Sequence, residues 1–154
     1  MLPAHLAPDC QVTLAEALES HRRTVPGLFD DAGDPALAAL FAGHDACHVV
    51  FGCSTALRDE ARVDSWTVLG STMTARRYLA YLTHPDVVAL LKSFPVGAQV
   101  RTLLVFFVDL PVVAWRCLRM RRRWDFDGWE AFLDRPLHEV RAEHGIRPLA
   151  ATPP

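Results

Sequence analysis

Apolar residues recur along this chain at helical spacing, and the breaks between the recurring stretches fall at proline and glycine. The clearest stripe is Leu37, Leu40, Phe41, His44, His48 and Phe51, which follows the i, i+3, i+4 pattern of one helix face. Asp34-Pro35 in front of it reads as a helix start, an N-cap residue with proline at the first helical position. Gly52, with Ser54 and Thr55 behind it, ends that helix and offers a new N-cap. The spacing therefore predicts a second helix from about Thr55, with Glu60 on its second turn and Leu57, Glu60, Ala61, Asp64 and Val68 on one face. Upstream, Thr13 and Glu16 make a capping box for a helix that stops before Pro26-Gly27. Downstream, a helix through residues 76–82 precedes Thr83-His84-Pro85, a shorter one runs to about Phe94, and Pro95 resets the chain. Asp127 is expected to cap a helix carrying Trp129, Phe132 and Leu133, and Pro136 to open a last one that Gly145 stops. There is no internal repeat. The expectation is an all-α, single-domain multi-helix bundle over residues 1–154, flexible at about 1–10 and 148–154.

One segment does not fit the amphipathic scheme. Leu103 to Trp115 reads LLVFFVDLPVVAW, with Arg101 before it and Arg116, Arg119 and Arg121-Arg122-Arg123 after it. Asp109 and Pro111 interrupt it, and it falls short of the about twenty apolar residues that a spanning helix needs. It is expected to be a buried core helix kinked at Pro111, with the arginines on the solvent side. The competing readings are an apolar wall of a lipid pocket or an interfacial element, with arginines that would suit anionic lipid, pyrophosphate or a carboxylate.

The candidate chemistry lies at the junction of the second and third predicted helices. His44 and His48 are four residues apart, so they project from one face, a turn above each other. They fall inside an apolar stripe, where each ring nitrogen needs a partner. A shared ion satisfies two imidazoles more easily than two separate acceptors do. Asp45 adjoins them, and Glu60 arrives from the next helix after eleven intervening residues. His44, Asp45, His48 and Glu60 are therefore the candidate ligands of a divalent metal, zinc first, with iron or magnesium as alternatives. Asp64 is a candidate further ligand or outer partner, and Cys47 either approaches the metal or packs as a small apolar side chain.

Composition narrows the class. A chain of 154 residues buries about two thirds of its unfolded surface as one domain. A net charge of -2 gives no bulk electrostatic case for nucleic acid. The four cysteines form no CxxC pair, and the opening MLPAHLAPDC has neither the basic start nor the apolar core of a signal peptide. A cytoplasmic protein is the natural expectation.

HDACH followed eleven residues later by Glu60 resembles the hallmark of the coenzyme Q (ubiquinone) biosynthesis proteins of the mitochondrial Q-synthesis complex and their bacterial relatives. His48-Val49-Val50-Phe51-Gly52 resembles that family's HVLFG-type run, and Trp129, Leu133, Leu137, Arg141, Glu143, Gly145-Ile146 and Pro148 its closing W…L…R.E.GI..P pattern. The resemblance extends from about Pro35 to Pro148, specific at the motif and weak between. It departs at Asp59, where the family usually has glycine, and in length, being shorter than the mitochondrial members. It implies an all-α protein with a zinc site, an apolar channel for a polyprenyl chain, and peripheral association with the inner face of the cell membrane. It also implies a polyprenylated quinone precursor and other quinone-biosynthesis enzymes as partners. The implied role is head-group decarboxylation and hydroxylation, or organising those enzymes. A homodimer is a further expectation for a helical protein with apolar faces.

Two other functions compete. One is a non-catalytic lipid-binding scaffold with a structural metal. The other is an HD-type phosphohydrolase, for which His21, His84, Asp86 and Asp109 would have to supply the remaining ligands. The HExxH proteases are set aside, because Asp45 stands where their glutamate base belongs.

Overall fold

The computed structural model describes residues 3–24 and 34–150. Seven α-helices occur among them: α1 (Leu14–Thr24), α2 (Pro35–Phe51), α3 (Leu57–Gly70), α4 (Ala75–Leu82), α5 (Pro85–Ser93), α6 (Val96–Leu118) and α7 (Leu137–His144). Short 3-10 turns stand at Ala4–Leu6 and Trp129–Phe132, and no strand is present among the described residues. The fold is all-α, as the spacing predicts.

Local chemistry sets most of the boundaries. At α1 the capping box forms: Glu16 N–H donates to Thr13 Oγ1 at 3.2 Å, and Thr13 N–H donates to Glu16 Oε2 at 2.9 Å. Those Thr13 donors hold the Glu16 carboxyl below its ordinary range. Pro26-Gly27, expected to stop α1, lies outside the described residues. Asp34 caps α2 by accepting from Ala36 N–H at 2.9 Å. Gly52 ends α2 at φ 69°, and a Cβ there would stand 2.8 Å from Pro148 Cβ, so both backbone and space require glycine.

Helix α3 begins later than the spacing suggests. Ser54 does not cap it by accepting from its first turn. Its N–H and hydroxyl both donate to Asp59 Oδ2, at 2.9 and 2.7 Å, and the helix starts at Leu57. Glu60 consequently sits on the first turn, not the second. Asp127 caps nothing; Arg77 takes it as a two-pronged ion pair, and only a 3-10 turn follows. A side-chain partner elsewhere in the fold outcompeted the local one.

The core gathers α1, α2, α3 and α7. Phe51 of α2 stacks on Trp66 of α3 with centroids 4.6 Å apart and planes 10° apart, which fixes how those helices meet. Trp124, Phe126, Leu137 and Val140 close the other side. Arg141 of α7 is buried and meets no carboxylate among the described residues. It donates instead to Val49 O and Val50 O in the last turn of α2, both at 2.8 Å, and to His5 O and Ala7 O, both at 2.6 Å. Burial pushes its guanidinium down to about 10, so it stays charged at neutral pH. The N-terminal segment is thereby packed from Pro3 onward, with His5, Leu6 and Cys10 buried. At the other end Leu149 packs on the core and Ala150 O accepts from Arg62. Both described ends of the chain therefore make contacts with the core.

Helix α6 departs most from expectation. It is 23 residues long, apolar enough to span a membrane by length and composition, and its apolar window is only 11% buried. Among its residues only Asp109 and Val113 are buried. Val96, Val100, Leu103, Leu104, Phe107, Val108, Val112, Trp115 and Leu118 are exposed, on a stripe about half a turn from Asp109. It is not the core helix that the sequence suggests. What docks it is the carboxylate: Arg58 Nε and Nη2 and Arg62 Nε all donate to Asp109 at 2.7 Å. Helix α3 therefore holds α6 through Arg58 and Arg62 on one face, and carries Glu60 and Asp64 on the other.

Two stability measurements check this frame. Arg141→Met leaves several buried carbonyls without a donor, and should cost about 3–5 kcal/mol by urea denaturation. Asp109 has its pKa depressed, first by the Arg58 hydrogen bonds and then by Arg62, against the opposing effect of burial. Its contribution is therefore full above the unfolded value near 4 and is lost as pH falls through the lower folded one. Asp109→Asn should cost about 2 kcal/mol at pH 7 and flatten the acid limb of the stability–pH curve. An unchanged acid limb would mean the clamp contributes nothing.

Candidate metal centre

The last two turns of α2 and the first turn of α3 meet at the sharp Gly52 corner. His44, His48 and Glu60 each bring one ligand atom to this junction, and the three atoms lie within 4.8 Å of one another. His48 Nε2 is 3.4 Å from Glu60 Oε2. Tetrahedral zinc holds nitrogen and oxygen donors roughly 3.4 Å apart, so small rotamer adjustments bring the trio to bonding geometry.

The tautomer of His48 follows from its other nitrogen. Nδ1 lies 3.4 Å from Cys53 O, and a carbonyl only accepts, so Nδ1 carries a proton, while Nε2 faces Glu60 Oε2 and would offer a lone pair to an ion that displaces its proton. The same carbonyl receives His5 Nε2 at 3.3 Å. Cys53 N–H in turn donates to His48 O at 2.8 Å, closing the corner on itself. An imidazole oriented by a peptide carbonyl at its other nitrogen is the usual arrangement of a metal-binding histidine.

Electrostatics agree with the donor set. Burial opposes ionisation of Glu60, yet the neighbouring His48 charge and hydrogen bond outweigh it and hold the carboxyl down at about 2. Burial likewise disfavours the His48 cation, and Glu60 overcomes it, raising the His48 pKa. The pair is thus an anionic oxygen beside an imidazole that binds a proton strongly, and a divalent ion can take that proton's place. The residues fit such an ion.

Around the trio the structure sorts the remaining candidates. Asp45 turns away, its Oδ2 3.3 Å from Arg22 Nε and its Oδ1 3.9 Å from His21 Nε2. Asp64 Oδ1 stands 3.5 Å from His44 Nε2, close enough to orient that ring or to join the ion. Cys47 is fully buried facing Thr67, and burial pushes its thiol up to about 12, so it packs rather than ligates. A cavity of about 10 Å³ adjoins His44 between Leu40, Met73, Tyr78, Tyr81 and Phe126, room for about one water. This cavity is not wide enough to be the expected polyprenyl channel.

Two further histidines wall the junction: His21, which the sequence offers only for the HD-type reading, and His5, which it does not offer at all. His21 of α1 stacks on His48 with centroids 4.9 Å apart, and His5 meets His21 edge-on at 5.4 Å. Burial holds His21 at about 3 and His5 at about 4, so both are neutral walls. His21 was legible, since Leu14, Ala17, Leu18 and His21 form the buried stripe of α1. His5 sits in a three-residue turn with no periodicity to reveal it.

The remaining residues of the HD-type reading are dispersed: Asp109 is clamped by arginines, and His84 lies 3.8 Å from Asp34. No family model, no curated protein and no solved structure matches this chain.

Single substitutions His48→Ala and Glu60→Ala are each expected to abolish stoichiometric metal binding in equilibrium dialysis while circular dichroism keeps most of the helix signal. Asp45→Ala should retain the metal. Full metal content in both of the first two variants would refute the ligand assignment.

Proposed function

We propose that this protein binds a divalent metal, zinc first and iron or magnesium as alternatives, and acts on or presents a polyprenylated quinone precursor in ubiquinone-like biosynthesis. The observation that carries the reading is the His44, His48 and Glu60 trio, with His48 held at Nδ1 by the Cys53 carbonyl and its Nε2 turned toward Glu60. Three protein ligands leave a fourth position for the head group. A bound divalent ion supplies Lewis acidity, polarising the carboxylate or phenolate of a hydroxybenzoate head. The chain's own contribution is to orient the rings, keep His21 and His5 neutral around them, and present Asp64 beside His44.

The exposed stripe of α6, flanked by Arg116, Arg119, Arg121, Arg122 and Arg123, supports a peripheral position on the inner face of the cell membrane. There the precursor and the other biosynthetic enzymes would be met. Replacing a ring carboxyl by hydroxyl is a two-electron oxidation: carbon dioxide leaves and oxygen arrives. Catalysis therefore draws on dioxygen, with a redox-active metal or a partner enzyme. One observation favours a scaffold with a structural metal instead. Asp64 is near enough to His44 to fill the fourth position, which would close the site.

The deciding assay uses metal-loaded protein, a short-chain prenylated 4-hydroxybenzoate labelled in its carboxyl carbon, and dioxygen. Saturable binding that disappears in the His44→Ala/His48→Ala variant is the expected result. Release of labelled carbon dioxide marks a catalyst, and binding without release marks the scaffold. Equal binding by the metal-free variant would overturn the reading. Metal content, measured by elemental mass spectrometry on untagged protein, runs beside it.

A further inference from the structure

Where α6 ends, a second feature opens that the metal centre does not use. A cleft of about 220 Å³ is lined by Trp115, Arg116, Arg119, Gly145 and Arg147, with no acidic residue in its wall. None of its three arginines has a carboxylate partner among the described residues. Arg116 Nη1 donates to Arg147 O at 3.0 Å, which ties the α6 end to the segment after α7. Arg119 lies over the Trp115 ring at 4.3 Å, a cation–π contact. Glu143, two residues before Gly145, is taken by Arg122 and Arg135.

A helix C-terminus repels anions unless its carbonyls are occupied. Here Arg116 O accepts from Arg119 N–H at 3.0 Å and Cys117 O from Met120 N–H at 3.1 Å. Gly145, at φ 71°, lets α7 end tightly against the segment after α6: a Cβ there would stand 2.9 Å from Arg121 N. Three unpaired guanidinium groups around one opening match the oxygens of a phosphate, which takes forked donors from several sides. Next to it, Trp115 is 55% exposed and Leu118 82% exposed, at the end of the apolar stripe.

We propose that this cleft is a phosphate-binding site, taking a phosphate monoester or diphosphate group through Arg116, Arg119 and Arg147 while the attached apolar chain lies along α6. The site stands apart from the metal centre and does not depend on the metal reading.

Inorganic pyrophosphate is the probe, titrated at low ionic strength into the full chain with tryptophan emission as the readout. A saturable change is expected in wild type and in Arg101→Gln, a control at the far end of α6. Arg119→Gln should weaken it about tenfold or more, and Arg116→Gln likewise. Among the described residues the Arg119 side chain makes no hydrogen bond or ion pair besides its place over Trp115, so its variant tests the site even if Arg116→Gln fails to fold. No saturable binding, or equal loss in Arg101→Gln and Arg119→Gln, overturns the proposal. Flotation with phosphatidylcholine vesicles, with and without phosphatidic acid, then identifies the source. Arg119-dependent, pyrophosphate-competed binding to the acidic vesicles supports a lipid head group. Pyrophosphate binding with no preference between vesicles supports a soluble phosphate ester.

Discussion

The fold depends on one buried cation with no anion beside it. Arg141 replaces a counter-charge with carbonyls drawn from two distant parts of the chain: the end of α2 and the N-terminal turn. The end of a helix carries partial negative charge on its last carbonyls, so the guanidinium neutralises a dipole instead of a carboxylate. That choice has a geometric result. Val49 and Val50 directly follow His48 in sequence, so the same contact that seats α7 also fixes the turn of α2 carrying His48. His5, held through its own carbonyl, is placed to share Cys53 O with His48.

Helix α3 performs the complementary task, because its two faces answer to different parts of the molecule. Glu60 and Asp64 look toward the histidines, while Arg58 and Arg62 look toward Asp109. Arg62 additionally holds Asp59 at 2.8 Å, and Asp59 holds Ser54. The first turn of α3 is thus braced from the metal junction, from α6 and from the preceding loop at once. A carboxylate that must stay ionised beside a buried imidazole needs such bracing, since a mobile one would prefer water.

Much of this was readable in the residues. The all-α class, the capping box at Thr13, the proline start and glycine stop of α2, and the convergence of His44, His48 and Glu60 all follow from local spacing. What was not readable has a common cause: long-range polar partners. Asp45 sits beside the ligands in sequence, yet Arg22 of α1 draws it aside. Asp127 carries a capping residue's chemistry, but Arg77 claims it. Asp109 looks like an interruption in an apolar run and is in fact the docking point of its helix. Local pattern reports where apolar faces lie; it does not report which of them finds a partner, and α6 is the face that found none.

The placement of α3 between the ligand junction and α6 has a consequence of scale. A helix with its side chains is about 10–12 Å across. An amphiphile that reached the metal with its polar end and the α6 stripe with its apolar end would have to pass around that thickness. The fold thereby acts as a ruler: the His44, His48 and Glu60 junction and the α6 stripe are separated by a helix's breadth, and only a molecule with a long flexible arm could touch both.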